Sequence, residues 1–272
     1  MYDLEERLVR EHWITPNELI RAKEDQKKTK KSLFSSLIKL GYLTEEDVFI
    51  FFAANSNIPF IRLSDYCLKD DVLVLLPEDF CRANIVIPLF KIDHNLFVAM
   101  ANPLDAELLI NIADRTGLEI NPLISSPYTI LRTLDEHFGF KEEFFNMEKF
   151  IFKPQSLHKF PFHRESERIP LNIPLEFEVD DDRINLVSSH NIPADTVDIS
   201  RNGKALGIKT FLFIPPSVKL LLNFTSIQEG NIKAKAEVVY AKMKKSGEFL
   251  MGVKFLGIAP EVVSYLLKLA AR

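Results

Sequence analysis

Residues 236–255 read Ala236-Glu237-Val238-Val239-Tyr240-Ala241-Lys242-Met243-Lys244-Lys245-Ser246-Gly247-Glu248-Phe249-Leu250-Met251-Gly252-Val253-Lys254-Phe255. Apolar and polar residues alternate over 236–240 and 249–255, on either side of the turn signal Ser246-Gly247, which is the period of strands buried on one face. The same pattern recurs upstream in Leu175-Glu176-Phe177-Glu178-Val179, in Ile184-Asn185-Leu186-Val187 and over residues 218–224. Several short strands packed into one half of the chain predict a closed or nearly closed antiparallel barrel. Helical apolar spacing over 260–271 predicts a terminal helix. Asp180-Asp181-Asp182 reads as a solvated hairpin turn, because a Ca²⁺ loop needs further oxygen ligands that are missing here.

The chain has 272 residues, which at roughly 150 residues per domain makes two domains. With 47% hydrophobic and 26% charged residues, disorder and fibre are excluded. No apolar run reaches the roughly 18 residues of a membrane span, and the first residues carry charges of both signs, unlike a signal peptide. A cytoplasmic protein without direct membrane insertion is expected. Cys67 and Cys81 have no Cys or His partner at metal-ligand spacing and are expected to be reduced and buried, with no metal. Residues 1–140 carry a net charge of −7 and residues 163–272 of +2. This balance disfavours nucleic acid as a partner and suits a small anionic ligand on the second half.

In the first half, Trp13-Ile14-Thr15-Pro16-Asn17-Glu18-Leu19 and Tyr42-Leu43-Thr44-Glu45-Glu46-Asp47-Val48 repeat at an offset of 29 residues. Thr15 with Glu18, and Thr44 with Asp47, can cap a following helix reciprocally, and Pro16 suits the first helical position. Residues 1–57 should be a small helical subdomain. Residues 58–139 should be a small α/β unit: a short strand at 60–63, a hairpin of 85–92 with 96–100, a helix over 104–115, a strand over 118–124 and a helix over 127–137. His94 and His137 read as solvated or capping side chains.

This order of elements resembles the N-terminal domain of type II secretion and type IV pilus assembly ATPases, over about residues 5–139. The fragments that carry the likeness are Leu43-Thr44, Leu75-Leu76-Pro77-Glu78, Ile87-Pro88-Leu89 and Val98-Ala99-Met100-Ala101-Asn102-Pro103-Leu104-Asp105. The resemblance implies an interaction module that docks on a protein partner of pilus, secretion or motility machinery. No G-x-x-x-x-G-K-[ST] loop is present among the nine glycines, so the motor that accompanies this module in the family is missing. Some family members bind cyclic di-GMP through a repeated Arg-Leu-Gly motif. Here the aligned triplets are Asp3-Leu4-Glu5 and Ser32-Leu33-Phe34, and His12 replaces the first turn glycine, so no ligand site is expected in this half.

Residues 140–162 hold seven Phe together with Pro154 and Pro161. They read as an ordered connector, since a flexible linker would be poor in apolar residues. Beyond it, two constellations stand out: Arg164-x-x-x-Arg168 ahead of the first strand, and Asp198-Ile199-Ser200-Arg201-Asn202-Gly203. Their chemistry suits a cyclic guanine dinucleotide. An arginine fork matches phosphate and the guanine O6/N7 edge, and its plane also stacks on purines. Asp198 can accept from guanine N1–H and N2–H₂, Ser200 can donate or accept at the ring edge or phosphate, and Gly203 permits a tight turn near the ligand. The same residues can equally pair the arginines with Glu165, Glu167 or Asp198 and organise a turn.

Residues 163–272 resemble a PilZ domain, with Arg164 and Arg168 on that family's RxxxR, Asp198, Ser200 and Gly203 on its [D/N]xSxxG, and Val238-Val239-Tyr240 and Gly252-Val253-Lys254-Phe255 on its late strands. The resemblance implies a six-stranded antiparallel β-barrel with a terminal helix, so that the whole is an α+β two-domain protein. It also implies cyclic di-GMP as ligand, with no further cofactor. The expected function is a non-enzymatic cyclic di-GMP effector that couples binding at the barrel to docking by the first half. The alternative is a ligand-independent adaptor with an unused PilZ site.

Overall fold

The computed structural model describes residues 4–56, 58–141, 167–188, 190–226 and 230–271. The helical subdomain holds α1 (Leu4–Arg10), α2 (Pro16–Thr29), α3 (Leu33–Lys39) and α4 (Glu45–Ser56). The 29-residue repeat is a structural repeat. His12 N donates to the Val9 carbonyl at 3.0 Å and Trp13 N to that of Leu8 at 2.9 Å, while Gly41 N donates to Ile38 at 2.9 Å and Tyr42 N to Leu37 at 3.0 Å. Both turn residues are left-handed, with φ of 61° at His12 and 73° at Gly41. The capping boxes close as the spacing predicts. Thr15 N donates to Glu18 Oε2 at 2.7 Å and Thr44 N to Asp47 Oδ2 at 2.8 Å, each hydroxyl accepting from the third residue's N–H in return. Leu8, Leu37, Phe51 and Phe52 form the core beneath them.

The α/β unit adds α5 (Asp70–Leu73), α6 (Glu78–Asn84), β1 (Val86–Ile92), β2 (Asn95–Met100), α7 (Ala106–Thr116), β3 (Glu119–Ile124) and α8 (Pro127–Phe138). β1 and β2 are an antiparallel hairpin, and β3 runs parallel to β2 after the α7 crossover. The strand expected at 60–63 does not form. Phe60 makes one parallel bridge to Ile124, and Leu63–Asp65 turns into a 3₁₀ helix. The short helices α5 and α6 lie between that turn and β1; buried Arg82 on α6 ties Glu78, Asp135 and the Gly139 carbonyl together at 2.7–2.8 Å.

The second half holds β4 (Arg168–Pro170), β5 (Pro174–Val179), β6 (Ile192–Ser200), β7 (Ala205–Thr210), β8 (Lys219–Ser226), β9 (Gly230–Met243), β10 (Phe249–Phe255) and α9 (Pro260–Ala270). All pairs are antiparallel in the order β6-β5-β8-β9-β10-β7, and β7 pairs back onto β6, so six strands close into a barrel. Closure removes the free sheet edges. β4 lies outside this ring on the C-terminal part of β6. Phe177, Ile199, Leu206, Ile208, Leu220, Leu222 and Met251 fill the interior.

Three expectations are corrected where the two halves meet. Residues 184–187 are no barrel strand: Leu186 forms a bridge with Tyr66 in the first half, Cys67 N donates to the Asn185 carbonyl at 3.0 Å and Val187 N to that of Asp65 at 3.1 Å. Their alternation is satisfied by the neighbouring domain instead of the barrel. The Asp180–Asp182 run is exposed at Asp180 and Asp182 and turns as expected, but it does not close a hairpin and the Asp181 side chain is not solvated. Asp181 is buried and takes both forks of Arg183, at 2.8 and 2.7 Å, plus the Lys219 N–H at 3.2 Å, while Lys69 Nζ donates to the Asp182 carbonyl. Cys81 is buried as expected, but Cys67 is exposed because it lies on the rim of this contact.

Across the contact the Tyr66 hydroxyl donates to the Phe213 carbonyl at 2.8 Å, Arg183 reaches Asp93 at 2.9 Å and Lys245 reaches Glu11 at 2.9 Å. Tyr66, Phe90, Phe97, Phe213 and Phe249 form a continuous chain of ring contacts from β1 to β10. The α/β unit and the barrel therefore share one hydrophobic core. The Phe-rich connector lies outside the described residues from 142 onward. Among the described residues no helix is long and apolar enough to cross a membrane.

Candidate ligand site

The C-terminal end of β6 is paired on both edges, by β4 in the register Arg168↔Ser200 and Pro170↔Asp198, and by β7 in the register Asp198↔Gly207. Side chains alternate along a strand. Ile199, wholly buried in the barrel, therefore puts Asp198 and Ser200 on the opposite, outer face together with Arg168. Arg168 Nη1 donates to Asp198 Oδ1 at 3.0 Å, with both side chains mostly but not fully buried. One fork of the guanidinium is thus oriented by a carboxylate on the surface a ligand would meet.

The chain between Arg168 and the barrel is fixed by Thr196. Its hydroxyl donates to the Leu171 carbonyl at 2.9 Å and accepts from Ile173 N at 2.8 Å, and Leu171 N donates to the Val197 carbonyl at 3.0 Å. Thr196 is buried, so these bonds are made away from water and hold β4 in place.

Ser200 is buried and organises the β6–β7 turn. Its hydroxyl donates to Asn202 Oδ1 at 2.7 Å and accepts from Ala205 N at 2.9 Å, and Gly203 N donates to the Ser200 carbonyl at 2.7 Å. Gly203 is left-handed, with φ of 68°, and a Cβ there would lie 2.1 Å from Val263 Cγ1 on α9. Its first constraint is thus the helix packed over the turn. Exposed Arg201 pairs with Glu167 at 3.1 Å, and its N–H donates to the Glu167 carbonyl at 2.9 Å.

The structure therefore brings Arg168, Asp198, Ser200 and Gly203 to one end of the barrel, and Arg164 lies outside the described residues. Thr196, Asn202 and Gly207 complete the arrangement without having been singled out by sequence. Only Asn202 carried a signal, as an Asx residue two positions beyond Ser200.

A model of the MshEN domain matches residues 56–144 and a model of the PilZ domain matches residues 162–272. The chain is an MshEN domain followed by a PilZ domain. It is similar to the type IV pilus assembly ATPase PilB of Myxococcus xanthus, 27% identical over 138 residues, which are 51% of this chain and 24% of that protein. The chain thus spans about a quarter of that relative's length. The solved structure of MshE with cdg covers 51% of this chain and 100% of its own, at 25% identity and a TM-score of 0.45. YcgR from Escherichia coli, solved in complex with c-di-GMP, covers 39% of this chain and 43% of its own, at 15% identity and a TM-score of 0.29. The site described above falls within the PilZ match. Among the described residues of both domains, no three His, Cys, Asp or Glu side chains are grouped to hold a metal ion.

Proposed function

We propose that this MshEN–PilZ chain is a non-enzymatic cyclic di-GMP effector of the cytoplasm. The ligand binds the PilZ face through Arg164, Arg168, Asp198, Ser200 and Gly203, and the MshEN domain docks on a protein of pilus, secretion or motility machinery. The observation that carries the reading is the Arg168 fork held at 3.0 Å by Asp198 on the outer face of the barrel, within a PilZ match that covers the whole motif. A guanidinium oriented in this way can meet a phosphate or the O6/N7 edge of guanine with the N–H groups that Asp198 leaves free. The shared core of the two domains supports coupling, because the second half meets the α/β unit through one backbone bridge, Tyr66 to Leu186, as well as through side chains.

Calorimetric titration of the full chain with cyclic di-GMP tests the reading. Arg168→Ala should weaken binding by about 1–3 kcal/mol, roughly fivefold to 150-fold. A wild-type chain without measurable affinity overturns it. One observation favours the adaptor reading: Arg168 and Asp198 already hold each other through one bond, and the Ser200 hydroxyl is paired within its turn. That reading predicts equal partner binding with and without cyclic di-GMP.

A further inference from the structure

Asp198 does not stand away from the barrel; its carboxylate lies over the backbone of β7. In the β6–β7 register Asp198 faces Gly207, next to an irregularity between Thr196 and Asp198 that re-aims the strand. A Cβ built on Gly207 would lie 2.7 Å from Asp198 Oδ1, 3.1 Å from its Cγ and 3.4 Å from its Oδ2. These are the three nearest atoms to that position, so every close approach comes from the one carboxylate. Gly207 is buried, lies in the middle of β7 and has no left-handed φ. A glycine in a strand interior weakens the strand relative to a residue with a side chain. The backbone here would accept alanine, and only the Asp198 side chain stands in its way.

We propose that Gly207 is a positioning residue of the ligand site: the missing side chain is the shelf on which the Asp198 carboxylate lies flat, so that Oδ1 meets Arg168 and sets the direction of the guanidinium. The chain of contact is Gly207 to Asp198 to Arg168, across three strands from β7 through β6 to β4. With a Cβ at 207, the carboxylate must turn outward by several tenths of an ångström or more. The 3.0 Å bond to Arg168 Nη1 is then lost or bent, because such bonds weaken steeply with misalignment. This inference rests on the PilZ face being the cyclic di-GMP site, and its test separates the two claims.

Four full-length proteins are compared: wild type, Gly207→Ala, Asp198→Ala and the double variant. Each is titrated calorimetrically with cyclic di-GMP and melted without ligand. Gly207→Ala should weaken binding about tenfold and lower the melting midpoint. In the Asp198→Ala background the same alanine should change affinity by less than about twofold, and it should leave the midpoint unchanged or raise it, since alanine restricts the unfolded chain more than glycine does. Wild-type affinity in Gly207→Ala overturns the inference. So does an equal fall of the midpoint in both backgrounds, which would make Gly207 a general requirement of β7. If wild type binds no cyclic di-GMP, the functional reading falls and the melting comparison alone decides the role of Gly207.

Discussion

Arg183→Ala should destabilise the chain more than the loss of a surface charge, and the contacts say by how much. Arg183 grips Asp181 with Nε at 2.8 Å and Nη2 at 2.7 Å, gives Nη2 also to the Ser217 carbonyl at 2.7 Å, and extends Nη1 to Asp93 at 2.9 Å. The Asp181 side chain is 5% exposed, that of Asp93 68%. A charge-assisted bond is worth about 1.5–3 kcal/mol net, and a buried carboxylate left alone is costly. Asp181 keeps two backbone donors, the N–H groups of Arg183 and Lys219, and Arg183 is partly solvated. The expected loss is therefore about 2–3 kcal/mol, or about 4–12 °C in melting temperature for a chain of this size. Asp93→Ala, at an exposed pair, should cost less than about 1 kcal/mol.

The effect has a pH signature. Burial pushes the Asp181 carboxyl up, but the Arg183 side chain, the two backbone N–H groups and the Arg183 charge together outweigh it and hold the group below its ordinary value. A folded value below the unfolded one gives stability that is complete above the ordinary carboxylate range and is lost as pH falls through the folded value. The difference between wild type and Arg183→Ala should accordingly persist from pH 7 to about 5 and shrink below about pH 4. Calorimetric melting between pH 3 and 7 reads this directly. A shift under about 1 °C at pH 7, or equal losses for Arg183→Ala and Asp93→Ala, would refute the reasoning. Two separate transitions would in addition refute the shared core, since one core should melt cooperatively.

Two further outcomes are expected. His12→Gly should stabilise the helical subdomain by about 0.5–1 kcal/mol in urea unfolding, because exposed His12 holds a φ of 61° that glycine adopts freely; a loss of stability would show that the imidazole makes up for the strain. A thiol reagent at pH 8 should modify one cysteine per native chain, exposed Cys67, because burial pushes the Cys81 thiol up to about 12. The second should react only in denaturant, and two fast thiols in the native chain would contradict the packing of α6.

The helical subdomain was legible to within a few residues because its signals are local: capping pairs three residues apart and apolar spacing within each helix. Barrel strands β5, β8, β9 and β10 were legible for the same reason, each alternating within its own length. β6 and β7 were not. β6 carries Asp195, Thr196 and Asp198, polar residues whose cross-strand partners lie on β4, β5 and β7, so its period appears only once the barrel is closed. Residues 184–187 failed in the opposite sense, since a real alternation belonged to a bridge with the other domain. For the site, the spacing of Asp198, Ser200 and Gly203 was visible as a motif. The residues that hold the motif in place, Thr196 and Gly207, carry no local signal of that role and act across the strand pairs.

Volume exclusion accounts for three glycines of the barrel. A Cβ at Gly203 would lie 2.1 Å from Val263 Cγ1, one at Gly207 2.7 Å from Asp198 Oδ1, and one at Gly252 2.1 Å from Tyr240 Cε1. Each is a place where a specific neighbour occupies the space of a side chain: the terminal helix, a site carboxylate and an aromatic ring. Interiors packed to crystal-like density leave no room for compromise at such points, so one added methyl must move its neighbour. At Gly203 the moved group is α9, and at Gly207 it is Asp198. Enlarging either residue should therefore disturb the site in a different way. Gly203→Ala should loosen the helix over the β6–β7 turn and be relieved in part by Val263→Ala, whereas Gly207→Ala should be relieved only by shortening Asp198. If Val263→Ala rescued both, the turn and the carboxylate would have to be one coupled element, and the separation argued from these two contacts would fail.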